Sequence, residues 1–265
     1  MSFSNAPICR TCGVQYDEAP EVCRICADER QYVGWTGQRW ATVAELTAEG
    51  HRGAVREEGP GVHGVGADPA TAIGQRAVLV QGEGGNVLWD CVSIVDEETV
   101  GAVRALGGVS AIAVSHPHFY GSMVEWSEAF GGVPIYVHEA DRQWVCRSGN
   151  VVHWSGDARE ILPGRTLVNC GLHFAGGTVL HAGDALFTGD IVTVVMDRRW
   201  VSFMYSYPNL IPEHPDRIAR AVDLLEPLPF DTIYGGWWRR VVRQGAKAAV
   251  TASAQRYFEH IGRAG

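Results

Sequence analysis

The pattern of apolar and polar positions changes character near residue 75. Beyond it, Arg76–Gln81, Asn86–Cys91, Val109–Ser115 and Val133–His138 are short, nearly continuous apolar runs. A strand with one wet face alternates, so runs of this kind predict strands buried on both faces. Gly82–Gly85, between the first two, is a hairpin signal. Glu97–Leu106 and Gly121–Phe130 read as helices, and a further helix is expected near Glu139–Cys146. The second half predicts strands over Thr166–Cys170, Thr178–Ala182 and Ala185–Thr188, with helices over Asp216–Leu225 and Ala246–Ile261. Before residue 75, Arg30–Trp35 reads as a short strand and Thr42–Glu49 as a helix ended by Gly50. Gly53–Ala72, rich in glycine and containing Pro60 and Pro69, reads as an irregular excursion. Helices covering the outer faces of strand-rich sheets make an α+β fold, an αββα four-layer sandwich.

Composition narrows the function classes. The chain has 265 residues and is 46% hydrophobic, enough for one large domain or a domain plus a small module. Its formal charge is −8, and its densest basic cluster, Arg239, Arg240 and Arg243, is small. No basic stripe is available to displace counterions from phosphate, so a general nucleic-acid surface is not expected. The amino end has neither a basic start nor an apolar stretch of signal-peptide length, and no run is long enough to span a bilayer. These features imply a cytoplasmic protein without a membrane partner. In a reducing compartment, its seven cysteines are expected as metal ligands or buried apolar residues rather than disulfides.

The cysteine distribution separates those roles. Cys9-Arg-Thr-Cys12 and Cys23-Arg-Ile-Cys26 are paired C-x-x-C motifs joined by a short linker. Four thiolates close a tetrahedral shell with no open position, so this spacing implies a structural zinc knuckle over residues 1–30 and leaves residues 31–265 for the main domain. A segment this short buries too little apolar surface to fold alone, and metal binding has to supply the difference.

A second metal-like constellation follows the run ending at Val114. His116 and His118 are one residue apart at the predicted end of a buried strand, where alternate residues of an extended chain share a side. His173, flanked by Gly171, Gly176 and Gly177, and Asp190, after Thr188-Gly189, lie at the ends of later apolar runs. His138, His153, His181 and His214 have no such placement and read as structural or exposed. The aromatic-rich Trp200–Pro208 segment reads as core or as a wall over the metal.

Together these features resemble the metallo-β-lactamase fold superfamily, with its H-x-H-x-D-H motif, a later glycine-flanked histidine, an aspartate after Thr-Gly and a final histidine. The similarity runs from about Gln75 to the carboxyl end. His116, His118 and His173 match the three histidines of the first metal position, and Asp190 matches the bridging carboxylate. Asp90 matches a strand-end aspartate that supports the ligands by accepting a ligand N–H. The chain departs from the pattern at Tyr120 and Gly121, where the family has the Asp and His of a second metal, and at Tyr234-Gly-Gly-Trp-Trp238, where it has the last His. The resemblance therefore implies a mononuclear site of three histidines and one aspartate.

With zinc, such a site implies a metal-dependent hydrolase of an ester, thioester, amide or lactone, with Asp190 orienting water and Tyr120 supporting an oxyanion. With iron, it implies an oxidoreductase of the sulfur-dioxygenase type. A third reading is a non-catalytic, metal-stabilised binding protein. The expected partner of the enzyme is a small-molecule substrate.

Overall fold

The computed structural model describes residues 5–262. Two mixed sheets lie face to face. The first is seven-stranded, in the order β1 (Arg52–Gly59), β2 (Val62–Asp68), β3 (Ala77–Val80), β4 (Val87–Trp89), β5 (Ala111–Ala113), β6 (Ile135–His138) and β7 (Val151–Trp154). Its pairings are antiparallel as far as β4 and parallel from there to β7. The second is six-stranded, in the order β8 (Ala158–Leu162), β9 (Arg165–Asn169), β10 (Thr178–Ala182), β11 (Ala185–Gly189), β12 (Thr232–Gly235) and β13 (Val241–Val242). Only β11 and β12 pair in parallel there.

Parallel neighbours need a crossover, which helices supply. After α1 (Val43–Ala48), α2 (Glu97–Ala105) links β4 to β5, and α3 (Met123–Ala129) links β5 to β6. In the second half α4 (Pro215–Leu225) links β11 to β12, and α5 (Ala246–His260) follows β13. Side-chain alternation then feeds three apolar layers. Val78, Val80, Trp89, Leu180, Phe187 and Tyr234 meet between the sheets. Ala77, Leu79 and Leu88 turn outward to Val100, Val103 and Trp126, whereas Val179, Leu186 and Ile233 meet Ile218, Ala221 and Val250. Both faces of the central strands are dry, which is why they read as continuous apolar runs. The layers form the expected αββα sandwich, with an amino-terminal cysteine cluster.

The amino-terminal residues share the outer layer of the first sheet. Cys9, Cys12, Cys23, Cys26, Tyr16 and Ile25 pack with Val92, Met123 and Val124. Gln15 N donates to Gly121 O at 3.0 Å, and Ser93 Oγ donates to Gly13 O at 2.9 Å.

Several local expectations are corrected. Arg30–Trp35 is no strand but an irregular stretch running into a turn, and Trp35 is 98% exposed, so its apolar character reflects no burial. The glycine-rich Gly53–Ala72 is instead mostly a long hairpin, β1 with β2. Its glycines serve close packing: a Cβ at Gly64 or Gly66 would collide with the Trp238 ring. The segment Glu139–Trp144 is a 3₁₀ helix. Strands β7, β8, β12 and β13 have no counterpart among the elements expected from the pattern. Among the described residues no helix is long and apolar enough to cross a membrane.

Phe187 stacks on Tyr234 with ring centroids 5.0 Å apart and is 1% exposed. Replacing it with Ala is expected to cost about 3–5 kcal/mol, as for other buried aromatic truncations. The measurement is the urea unfolding midpoint, and a shift equivalent to less than about 1 kcal/mol contradicts the role assigned to the middle layer.

Candidate metal centre

The cluster forms where strands of both sheets end. After β5, Ser115 N donates to Asp90 Oδ1 at 2.7 Å, locking the end of β5 to the residue that follows β4. His116 is fully extended, with φ −172°, and Pro117–Phe119 then forms a 3₁₀ turn. That turn, not strand alternation, brings His118 beside His116, with ring centroids 5.0 Å apart. Proline suits its first position because its φ is already set. His173 lies in the loop after β9 with φ +61°, a left-handed conformation that costs a non-glycine residue about 1–2 kcal/mol. Two contacts hold it there: His173 N donates to Glu213 Oε2 at 2.7 Å, and Nδ1 lies 2.8 Å from the Tyr205 carbonyl. Asp190 follows β11 immediately after Gly189, where a Cβ would lie 2.7 Å from Ser115 Oγ.

One donor atom from each of His116, His118, His173 and Asp190 lies within 4.8 Å of the others, and all four residues are buried. His116 Nε2 is 3.0 Å from Asp190 Oδ1, and His173 Nε2 is 3.1 Å from His118 Nδ1. A tetrahedron with metal–ligand bonds of about 2.0–2.1 Å has edges of about 3.3 Å, so these donors fit one cation. Burial and the neighbouring rings push His116 and His118 well below the usual imidazole range, and burial takes His173 down to about 4. Burial drives Asp190 well above the carboxylate range, and Asp90 adds to it. Neutral imidazoles beside a carboxylate whose charge is uncompensated are what a cation stabilises.

The ligand orientations follow from their outer contacts. With Nε2 facing the cluster, His116 Nδ1 carries a proton and meets Ser115 Oγ at 2.9 Å, and the Ser115 hydroxyl in turn serves Asp90. Asp90 therefore reaches the ligand through Ser115 rather than by accepting an imidazole N–H directly. Burial raises its carboxyl to about 7, against hydrogen bonds from Ser115. Sequence reasoning misses the roles of Ser115, Glu213 and Tyr207. Of these, only Ser115, adjacent to His116, carries a readable signal.

Neither Gly121 nor Gly236, at or near the positions where the resemblance places second-metal histidines, has room for a side chain. Gly121 has φ +48°, and a Cβ there would lie 2.7 Å from the Cys91 carbonyl oxygen. Gly236 faces Phe119, whose ring would lie 2.5 Å from an added Cβ. Tyr120 makes no hydrogen bond to any of the four donors. Its buried hydroxyl has no hydrogen-bond partner, and it packs in the outer layer, where Asp141, Cys146 and Arg24 are its electrostatic neighbours. His138 and His214 cap helical turns, His181 meets the Pro229 carbonyl, and the buried His153 Nδ1 has no partner.

The cysteine cluster is equally compact. Cys9 and Cys26 sulfurs are 3.6 Å apart, and those of Cys12 and Cys23 are 3.7 Å apart. These separations are far too long for disulfides and match the edge of about 3.8 Å expected for ~2.3 Å metal–sulfur bonds. Gln38 Nε2 donates to Cys9 Sγ at 3.2 Å. Hydrogen bonds from Cys12, Cys23 and Cys26 hold the Cys9 thiol far down, whereas burial pushes Cys12 far up. A shared cation would remove that inequality by stabilising every sulfur as thiolate.

The two clusters are mechanically joined by Asp28-Glu29-Arg30, just after Cys26. Arg30 pairs with Asp28 at 2.6 Å, lies 3.8 Å over the Phe174 ring and donates to the His173 carbonyl at 3.1 Å. Tyr205, whose carbonyl orients His173, donates its hydroxyl to Glu29 at 2.5 Å. Ser206 and Asn209 both donate to the Glu29 carbonyl, at 2.6 and 2.8 Å.

A sandwich of this topology with a three-histidine, one-aspartate cluster at its strand ends defines a protein of the metallo-β-lactamase fold. The structural comparison agrees. VMB-1 superimposes with TM-score 0.58 at 13% identity, over 78% of this chain and 98% of that one. FIM-1 from Pseudomonas aeruginosa, in its mono-zinc form, gives TM-score 0.58 at 11% identity, over 77% of this chain and 96% of that one. DIM-1 gives TM-score 0.57 at 12% identity, over 78% and 98%. No protein-family model matches the chain. The chain belongs to the same family as YmaE of Bacillus subtilis (strain 168), an uncharacterized protein 44% identical over 265 residues, covering 96% of each.

Arg30→Ala is expected to weaken cobalt(II) binding at the histidine cluster about tenfold, the usual effect of losing an outer support, and to leave the cysteine cluster's affinity unchanged. Cobalt titration separates the sites by the thiolate charge-transfer band, and equal affinity in both proteins contradicts the clamp. Asp141 gives a pH prediction. Burial raises its carboxyl to about 6, against Gly176 N–H and Arg30. Because the folded value exceeds the unfolded one, the protonated form's contribution is complete below pH ~3.8 and is lost as pH rises through about 6. Asp141→Asn is therefore expected to be more stable than the parent at pH 8 by up to about 3 kcal/mol, and equal to it at pH ~3.5, in denaturant unfolding.

Proposed function

We propose that this protein is a metal-dependent hydrolase that uses one cation, zinc, to cleave an ester, thioester, amide or lactone. The observation that carries this reading is the convergence of His116 Nε2, His118 Nδ1, His173 Nε2 and Asp190 Oδ1 next to a surface cleft. When bound, a single Lewis-acidic cation brings the pKa of water toward neutrality and polarises an acyl oxygen. The protein's own residues prepare that chemistry. Ser115 and the Tyr205 carbonyl hold two imidazoles with their lone pairs toward the cluster. Asp190 supplies the negative charge, and its second carboxylate oxygen accepts a proton from the attacking water. Phe119 and Phe174 pack against the histidines, Trp237 packs against Phe119, and together they keep bulk water out. Tyr207 rather than Tyr120 is the phenol at the cleft, and its hydroxyl is committed to the Asp190 carbonyl at 2.9 Å.

Burial of all four donor residues, none more than 3% exposed, favours a second reading in which the ion only stabilises a binding protein. One experiment separates the two. Protein with its metal content established by elemental analysis is assayed against ester, thioester, amide and lactone panels, alongside Asp190→Asn loaded with the same metal. The expected outcome is chelator-sensitive turnover with zinc bound, and kcat lower by about 100-fold or more in the variant. Metal-loaded protein that turns over nothing, yet unfolds when the metal is removed, supports the stabilising role instead. Iron in place of zinc directs the reading to an oxidoreductase.

A further inference from the structure

The cleft beside the cluster differs chemically from the rest of the surface. It has a volume of about 600 Å³, and Val194, Met196, Tyr207, Trp237, Trp238 and Arg240 line it. Tyr207 and Trp237 line it on the side of the cluster. The Tyr207 ring is 5.6 Å from the His173 ring, and the Trp237 ring is 5.5 Å from Phe119, which is itself 5.0 Å from His116. A molecule held in the cleft therefore lies one side chain, Tyr207, from His173 and two, Trp237 and Phe119, from His116.

The walls are flat and apolar, and the rim is cationic. Of the lining residues Arg240 alone is charged; Arg198 lies near it, and among the described residues no carboxylate pairs with either. Arg240 Nη1 touches only the Met196 sulfur, at 2.9 Å, while Arg198 is spent on the carbonyls of Val195 and Arg239. Unpaired guanidinium beside aromatic surface is the environment that selects a flat, apolar anion.

We propose that the cleft binds a planar, hydrophobic acyl group bearing a carboxylate or phosphate, with its face on Trp237, Trp238 and Met196 and its charge at Arg240. This rests on the hydrolytic reading of the neighbouring cluster and names its substrate class: an anionic aromatic ester or thioester. Arg240 is a specificity-determining residue in this arrangement. Its backbone is fixed independently of its side chain, because Arg240 N donates to the Trp237 carbonyl and Gly235 N donates to the Arg240 carbonyl. Replacement of the guanidinium therefore leaves the loop in place.

The test is calorimetric binding of 2-naphthoate, 2-naphthyl phosphate and the neutral 2-naphthylmethanol to the metal-loaded protein and to Arg240→Gln. Both anions are expected to bind about tenfold more tightly than the alcohol, the worth of one charge-assisted contact. Arg240→Gln is expected to remove that advantage and leave the alcohol's affinity unchanged. Equal binding of acid and alcohol, or an advantage that survives Arg240→Gln, overturns the proposal. Met196→Ala, expected to weaken all three probes, supports the location, whereas no effect on any of them overturns it. The outcomes distinguish the two readings. Naphthoate bound through Arg240 without ester cleavage leaves the cleft standing and removes the hydrolase. Cleavage with equal kcat/KM for neutral and anionic naphthyl esters leaves the hydrolase and removes the cleft.

Discussion

Four buried donors meet at one point, and much of the surrounding framework serves to keep them there. Three imidazoles kept neutral by burial face a carboxylate whose charge has no cationic side chain to balance it. Without a cation the arrangement sets dry polar atoms against one another, and His116 Nε2 and Asp190 Oδ1 are left without hydrogen-bond partners. The fold nevertheless holds them together. It keeps His173 in a left-handed backbone conformation, and it joins the ends of β4 and β5 through Asp90 and Ser115. Local strain of this kind persists only where the surrounding structure over-determines it, and such strain concentrates at functional sites.

The same framework accounts for the departure from a two-metal arrangement. The position of a second-metal histidine is Gly121, whose missing side chain allows close contact with the Cys91 backbone. Gly236, close to where the last histidine of the family falls, allows Phe119 to pack against it. Aromatic packing has taken over this side of the cluster, so the chemistry proposed for it is that of one ion in a dry surround. Charge development near such an ion is stabilised more strongly than in water, because little solvent has to reorganise.

The amino-terminal cysteine cluster has a place in this picture beyond its own stability. It is built into the outer layer of the first sheet, and the three residues after Ala27 grip the loops that carry and orient His173. A rigid four-cysteine centre makes a fixed anchor for Arg30, and Arg30 in turn covers Phe174, whose ring touches all three histidines. Two metal-binding clusters far apart in sequence thus stiffen one loop between them.

How much of this was legible in the sequence depends on the range of the interaction. The buried strands β3 to β6, α2 and the paired C-x-x-C motif were readable because burial on both faces and ligand spacing are local properties of the chain. His116, His118, His173 and Asp190 were readable as a set because they match the family motif in order and follow apolar runs, whereas the 3₁₀ turn that delivers His118 and the left-handed loop that delivers His173 were not legible. The hairpin β1–β2 was not readable: its glycines signal irregularity locally, and their reason is the distant Trp238 ring. Arg30, Tyr205 and Tyr207 acquire their roles only where separate loops meet, and the inward turn of Tyr120 is likewise a matter of packing. The order of residues along the chain specifies which side chains can bind metal and which runs are dry on both faces. Which donors share an ion, what closes the space of a second one and which side of the cluster faces solvent are settled by folding, because those outcomes rest on contacts between segments that have no neighbourhood along the chain.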